Sequence, residues 1–201
     1  MANRRGETLI EVLVALSALV LVGTTAVTVI VSSYENTALS REYLVAQNLA
    51  REGLEGVTNI RDTNWLLYPA EMGQCWLVID SGSCPPADGK EPNNIGRYIV
   101  DRHDDGQYSM KYRGQDEHSV LDLVGDPANS ASYRLWKYDG VYQHTSSSAE
   151  ETIWYRMITL EEVDADTSLS EQVKVTVLIQ WDKEPGFGQY EISTILTNYA
   201  K

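Results

Sequence analysis

The sequence predicts an α+β chain, with a long N-terminal helix packed on a C-terminal antiparallel β-sheet. Three patterns predict it. Residues 9–31 form a run of 23 residues with a single charge, Glu11. Residues 32–62 contain no proline, and apolar or small residues recur there at Leu39, Tyr43, Ala46, Ala50, Gly53, Val57 and Ile60, in steps of helical spacing. Farther on, Val173, Val175, Val177, Ile179 and Trp181 alternate with Lys174, Thr176, Leu178 and Gln180, the two-residue period of a strand.

The first run is a helix of roughly 35 Å at 1.5 Å per residue, and a bilayer's hydrocarbon core is about 30 Å thick, so one such helix can cross it. Arg4 and Arg5 precede the run and no Lys or Arg recurs until Arg41, which keeps the N-terminus in the cytoplasm and exports the rest. Three readings compete. A cleaved signal peptide has a shorter apolar region and then a small-residue cleavage site. A plain signal anchor explains the hydropathy and the arginines but gives Glu11 no task. A carboxylate costs about 2.5–3.5 kcal/mol at the centre of a membrane helix and less near an end, so an interfacial position is the bland account of it. The third reading gives the glutamate a role.

The segment Gly6-Glu7-Thr8-Leu9-Ile10-Glu11-Val12-Leu13, behind its short basic leader, resembles the class III signal of type IV pilins and pseudopilins. The resemblance implies a pilin-like fold and a defined processing route. A prepilin peptidase would cut between Gly6 and Glu7 and methylate the new amino group of Glu7. Glu11 would then be the family's glutamate, fifth in the mature chain, pairing with that amine on a neighbouring subunit. The implied partners are the peptidase, other pilin subunits, a pilus or secretion assembly platform and the membrane, with surface display after assembly. Many members have phenylalanine where Glu7 stands, and this departure points to a minor subunit.

On this reading residues 1–6 are a leader, 7–31 a transmembrane and filament-core helix, 32–64 its amphipathic continuation, and 65–201 an extracytoplasmic sheet domain. An amine–carboxylate pair at 4 Å gains about 4 kcal/mol at an effective dielectric near 20, enough to fix a register between helices. The Glu7 side chain adds a second carboxylate beside the amine. Within the family, a pseudopilin of a type II secretion or DNA-uptake system is the alternative. From other classes come a membrane-tethered binding module that never polymerises and, disfavoured by missing motifs, an anchored enzyme.

The chain's 201 residues leave room for the helix and one globular domain. Its net charge of −13 suits solubility and argues against direct nucleic-acid binding, which needs a basic surface. Cys75 and Cys84 both follow the membrane run, and in an exported domain an even count favours a disulfide, worth about 2.7 kcal/mol for so short a loop. Two free thiols are the alternative.

The stripe of residues 39–60 is the face expected to dock on the sheet, with Glu42, Arg51, Glu52 and Glu55 on the opposite side. Gly53 and Gly56 are weak helix formers. Gly23-Thr24-Thr25 resembles the place where pilin helices loosen inside filaments, an intact helix being the simpler expectation. Residues 49–65 also resemble a subset of pilin-like proteins, less specifically.

After Trp65, Pro69, Gly73 and the cysteine loop mark a connection, and residues 85–96 read as a second loop. Residues 97–101 and 107–113 read as strands joined at Asp105-Gly106. Residues 132–138 and 141–144 form a hairpin about Asp139-Gly140. A polar loop at 145–151 precedes a strand at 152–160. The alternating strand 173–181 pairs with Tyr190, Ile192, Thr194 and Leu196 across residues 184–188. The 12 tyrosines and 5 tryptophans against one phenylalanine suit a wet, partly exposed sheet.

Catalytic patterns are sparse, and the sequence reads as a non-enzyme without cofactor: no G-x-S-x-G, P-loop or G-x-G-x-x-G occurs. His103, His118 and His144 are scattered, and Ser119 beside His118 is mere adjacency. Asp101, His103, Asp105 and Gly106 echo the start of a calcium loop, but Tyr112 stands where its bidentate glutamate belongs. The acidic run Glu161, Glu162, Asp164 and Asp166 is a second weak calcium candidate, a solvated loop being the default.

Overall fold

The computed structural model describes residues 5–77, 84, 96–103, 106–114, 123–124, 131–146, 149–161, 163, 172–183 and 185–198, and only the backbone of residues 5–8, 73 and 74. The elements are α1 (Arg5–Leu67), a short α2 (Met72–Cys75), β1 (Gly96–Arg102), β2 (Tyr108–Gly114), β3 (Arg134–Tyr138), β4 (Val141–Gln143), β5 (Glu150–Glu161), β6 (Gln172–Asp182) and β7 (Phe187–Thr197). The fold is α+β, a long N-terminal helix packed on an antiparallel sheet. Contacts divide the chain into two compact units, Met1–Leu44 and Val45–Lys201.

The first unit belongs to α1, and every residue from 9 to 38 is exposed. The helix runs unbroken through Gly23-Thr24-Thr25. Its hydroxyls are satisfied internally: Ser17 Oγ donates to the Leu13 carbonyl at 2.7 Å, Thr25 to Leu21 at 3.0 Å and Thr28 to Thr24 at 2.9 Å. Such back-bonding leaves no unmatched side-chain hydroxyl on those three residues.

In the second unit β5 is the central strand. β6 pairs along one side, from Trp154↔Trp181 to Glu161↔Lys174, and β7 pairs with β6 beyond it. The other side of β5 is shared. β1 takes its C-terminal part through Gly96↔Leu160 and Tyr98↔Ile158, while β3 takes its N-terminal part through Arg134↔Tyr155 and Lys137↔Glu150. Each of these strands carries its own hairpin partner, β2 or β4. The β3–β4 turn has positive φ at both Asp139 (46°) and Gly140 (83°), a turn that matches the natural twist of a hairpin. β3 begins at Arg134 because residues 131–133 form a helical turn, and β5 starts at Glu150, taking the end of the segment expected as loop.

Each sheet face carries a buried cluster. On one, Ala46, Leu49, Ala50, Val57 and Ile60 of α1 pack against Val173, Val175, Val177, Ile179 and Trp181, with Trp154, Ile158, Leu160, Tyr98 and Val100 completing the core. The docking stripe starts at Ala46, later than its spacing suggests: Tyr43 is 47% exposed and Leu39 only half-buried. Two glycines sit at the contact. A Cβ on Gly56 would lie 2.6 Å from Val100 Cγ1, and one on Gly53 3.1 Å from Val177 Cγ1. These positions therefore permit close approach rather than merely weakening the helix.

On the other face Ile99, Tyr155, Met157 and Leu178 lie beneath Leu123 and Tyr133. The Leu123 N–H donates to Gln180 Oε1 at 2.8 Å. Leu178 and Gln180, expected on the solvent side of the alternation, are thus buried. The aromatics divide: Trp76, Trp154 and Trp181 fill the core, while Tyr112 and Tyr138 stay exposed on the sheet.

Candidate functional site

The apolar part of α1 is a surface without a cover inside its own chain. α1 is long and apolar enough to cross a membrane, and none of its most apolar window is buried. Exposed apolar surface of this extent is not sustained in water, so it requires lipid or protein around it. Glu11 is exposed within it, flanked by exposed Leu9, Ile10, Val12 and Leu13. The backbones of Gly6 and Glu7 lie in the first turn of α1, and the Glu7 side chain falls outside the described residues. Residues 7 and 11 are one turn apart on one helix and share a face. Glu11 is the one charge on this surface between residues 9 and 31.

At the helix–sheet seam a second charged group appears that the sequence reading missed. Arg156 of β5 is 1% exposed and lies on the helix-facing side of the sheet, between Trp154 and Ile158. Its Nη2 donates to the Val100 carbonyl at 2.8 Å and its Nη1 to the Leu49 carbonyl of α1 at 3.3 Å. Nη1 also lies 3.6 Å from Glu52 Oε2. Glu52, expected on the solvent side of α1, is therefore turned to a buried guanidinium. The available signal was parity: Arg156 stands in step with Trp154, Ile158 and Leu160 on an inward face.

Cys75 and Cys84 form a disulfide with a Cα–Cα distance of 5.9 Å. It ties down a segment whose Trp76 and Leu77 are fully buried. Asn64 Nδ2 donates to the Trp76 carbonyl (3.3 Å), Asn198 Nδ2 to that of Met72 (3.2 Å), and Trp65 Nε1 to Asn198 Oδ1 (3.3 Å). Two asparagines and a disulfide thus bind the end of α1, the α2 segment and the end of β7 together.

Among the described residues the histidines and acids do not converge. Asp101 Oδ1 accepts the His144 backbone N–H at 2.7 Å, and a ring nitrogen of His103 lies 2.8 Å from Ser109 Oγ. His103 also exchanges turn bonds with Gly106 and Gln107, so this stretch is a hairpin end and its first acid is already engaged. Glu161 pairs with Lys174 at 2.9 Å. Asp105, His118, Ser119, Glu162, Asp164 and Asp166 lie outside the described residues, as do 85–95 of the second loop. Among the described residues no group of three His, Cys, Asp or Glu side chains is placed to hold a metal.

The ring of His144 lies beside the Arg134 carbonyl. Its Nδ1–H donates to the Arg134 carbonyl at 3.2 Å, and its buried Nε2 meets no hydrogen-bond partner. Burial, and then the nearby Arg156 guanidinium, hold the imidazole well below its usual range, against the pull of the Arg134 carbonyl.

Compared with known protein families, with curated proteins and with solved structures, the chain matches none. The likeness of its N-terminal run to a family signal rests on the residues themselves.

Proposed function

We propose that the chain is a structural subunit of a type IV pilus-like filament, a minor pilin anchored by α1 before assembly. Its extracytoplasmic sheet domain is residues 65–201. The observation that carries this reading is the uncovered apolar surface of α1 with Glu11 as its one charge over residues 9–31. Cleavage after Gly6 creates an α-amino group at Glu7, and that cation on one copy meets Glu11 on the next as helices pack. The pair sets axial register, while apolar area drives the packing once the helix leaves the bilayer. The role is mechanical rather than catalytic, and it requires a prepilin peptidase and an assembly platform.

Glu11→Ala tests it. The variant is expected to insert into the membrane at the normal level and to be missing from sheared filaments. Normal incorporation overturns the role of Glu11. A subunit that is processed normally but never appears in surface fibres favours the pseudopilin reading.

A further inference from the structure

β7 pairs with β6 residue for residue, from Gln172↔Thr197 to Asp182↔Phe187, without a bulge. Among the described residues no strand pairs with its other side. Eleven residues at about 3.4 Å each make a ladder of roughly 37 Å. The opposite margin of the sheet is guarded. β2 shows exposed Lys111 and Arg113 and its pairing shifts register at Arg97/Tyr98, and β4 is three residues long. β7 has no proline, no lysine and one charge, Glu191. Long, regular and nearly uncharged edges are templates for another strand.

The side chains indicate which strand. Alternate residues of β7 turn away from α1, and among them Phe187 is 45% and Ile195 52% exposed. Each lies four positions from Glu191, on either side. In an antiparallel pairing of two β7 strands about Glu191, Phe187 falls opposite Ile195 of the second copy, and this occurs twice. Gln189 falls opposite Ser193 in the same way. Each exposed apolar side chain finds an apolar neighbour, the unit that stabilises cross-strand pairs. The opposing feature is the meeting of the two Glu191 carboxylates on the dyad.

We propose that β7 joins two copies of this chain edge to edge, antiparallel and in register about Glu191. The contact is small and concentration-dependent, in the class of transient interfaces. The dyad reverses one copy relative to the other, so it links copies that do not share one filament's polarity. It rests on the strand edge and not on the filament reading.

Cross-linking of the full chain in detergent micelles tests the register, since the native cysteines are engaged in their own disulfide. Under mild oxidation Glu191→Cys is expected to form a covalent dimer about tenfold or more faster than Ser193→Cys, because only residue 191 faces itself at bonding distance. Mixing Ser193→Cys with Gln189→Cys restores the dimer. Ile195→Lys in the Glu191→Cys background suppresses it while the near-ultraviolet circular dichroism stays native. In sedimentation, Glu191→Gln with no added cysteine tightens the dimer about two- to fivefold. Equal rates at 191 and 193, no cross-link at 191 in a natively folded variant, or no gain with Glu191→Gln overturns the proposal.

Discussion

Arg156 and Glu52 face each other across the seam between β5 and α1, Nη1 to Oε2 at 3.6 Å, with the guanidinium buried and the carboxylate half-exposed. A charge taken out of water in this way is costly unless every partner is kept. Its hydrogen bonds reach both a strand carbonyl and a helix carbonyl, so this one side chain reports whether the helix is seated. Arg156→Ala is expected to lower stability by about 3–5 kcal/mol, through lost bonds and a cavity under α1. Glu52→Gln is expected to cost about 1–2 kcal/mol, less than for a fully buried pair because Glu52 reaches solvent. Urea unfolding followed by tryptophan fluorescence checks both, and equal losses would contradict the geometry.

Gly56 gives a prediction of opposite sign to helix propensity. In an exposed helix, glycine to alanine stabilises by about 1 kcal/mol. Here the added methyl meets Val100 and Tyr108, at 2.6 and 3.0 Å. Gly56→Ala is therefore expected to destabilise by about 1–3 kcal/mol, as overpacking does, and Gly53→Ala by less, since its contacts begin at 3.1 Å. A rise in the unfolding midpoint for Gly56→Ala would show that α1 stands farther from the sheet.

His144 makes stability fall with acid. Its folded pKa is depressed, so its contribution is complete above the unfolded value of about 6.5 and is lost as pH drops below it. The unfolded chain binds the proton that the folded site refuses. Comparing urea midpoints at neutral pH and near pH 5 should show a loss in the wild type that is smaller in His144→Gln. An equal loss in both would assign the acid sensitivity to other groups.

The disulfide closes a short loop, and Cys75→Ser with Cys84→Ser is expected to lower stability by about 2.7 kcal/mol. Because Trp76 and Leu77 are held beside it in the core, the double variant should also expose Trp76. A red-shifted emission maximum in the folded variant checks this, and an unchanged midpoint would contradict it.

Much of the fold was legible because its signals are periodic. Alternation at Val173 to Trp181 and the turn pair Asp139-Gly140 located the strands, and steps of three and four located the docking stripe. Periodicity says which side chains share a face, not what covers it. Leu178 and Gln180 looked solvent-facing because their cover, Leu123 and Tyr133, sits in a region with no regular pattern. Arg156 was overlooked because a charge in a strand is habitually assigned to the wet side, although its neighbours two positions away are core residues. Tyr43 fitted the helical stripe by spacing, yet the sheet contact begins one turn later at Ala46. The N-terminal run presents basic residues, a glycine, one acid and a long apolar stretch, and of these the structure bears out the long apolar helix. The pairing proposed for Glu11 needs a second chain, which one sequence does not display.

The mass of the N-terminal peptide of the protein recovered from its membrane or filaments tests the central claim most directly. The account predicts a peptide that begins at Glu7 and carries one added methyl on its amino group. A peptide that still begins at Met1 and is unmethylated would contradict it, leaving α1 as a plain anchor and Glu11 without an amine to meet.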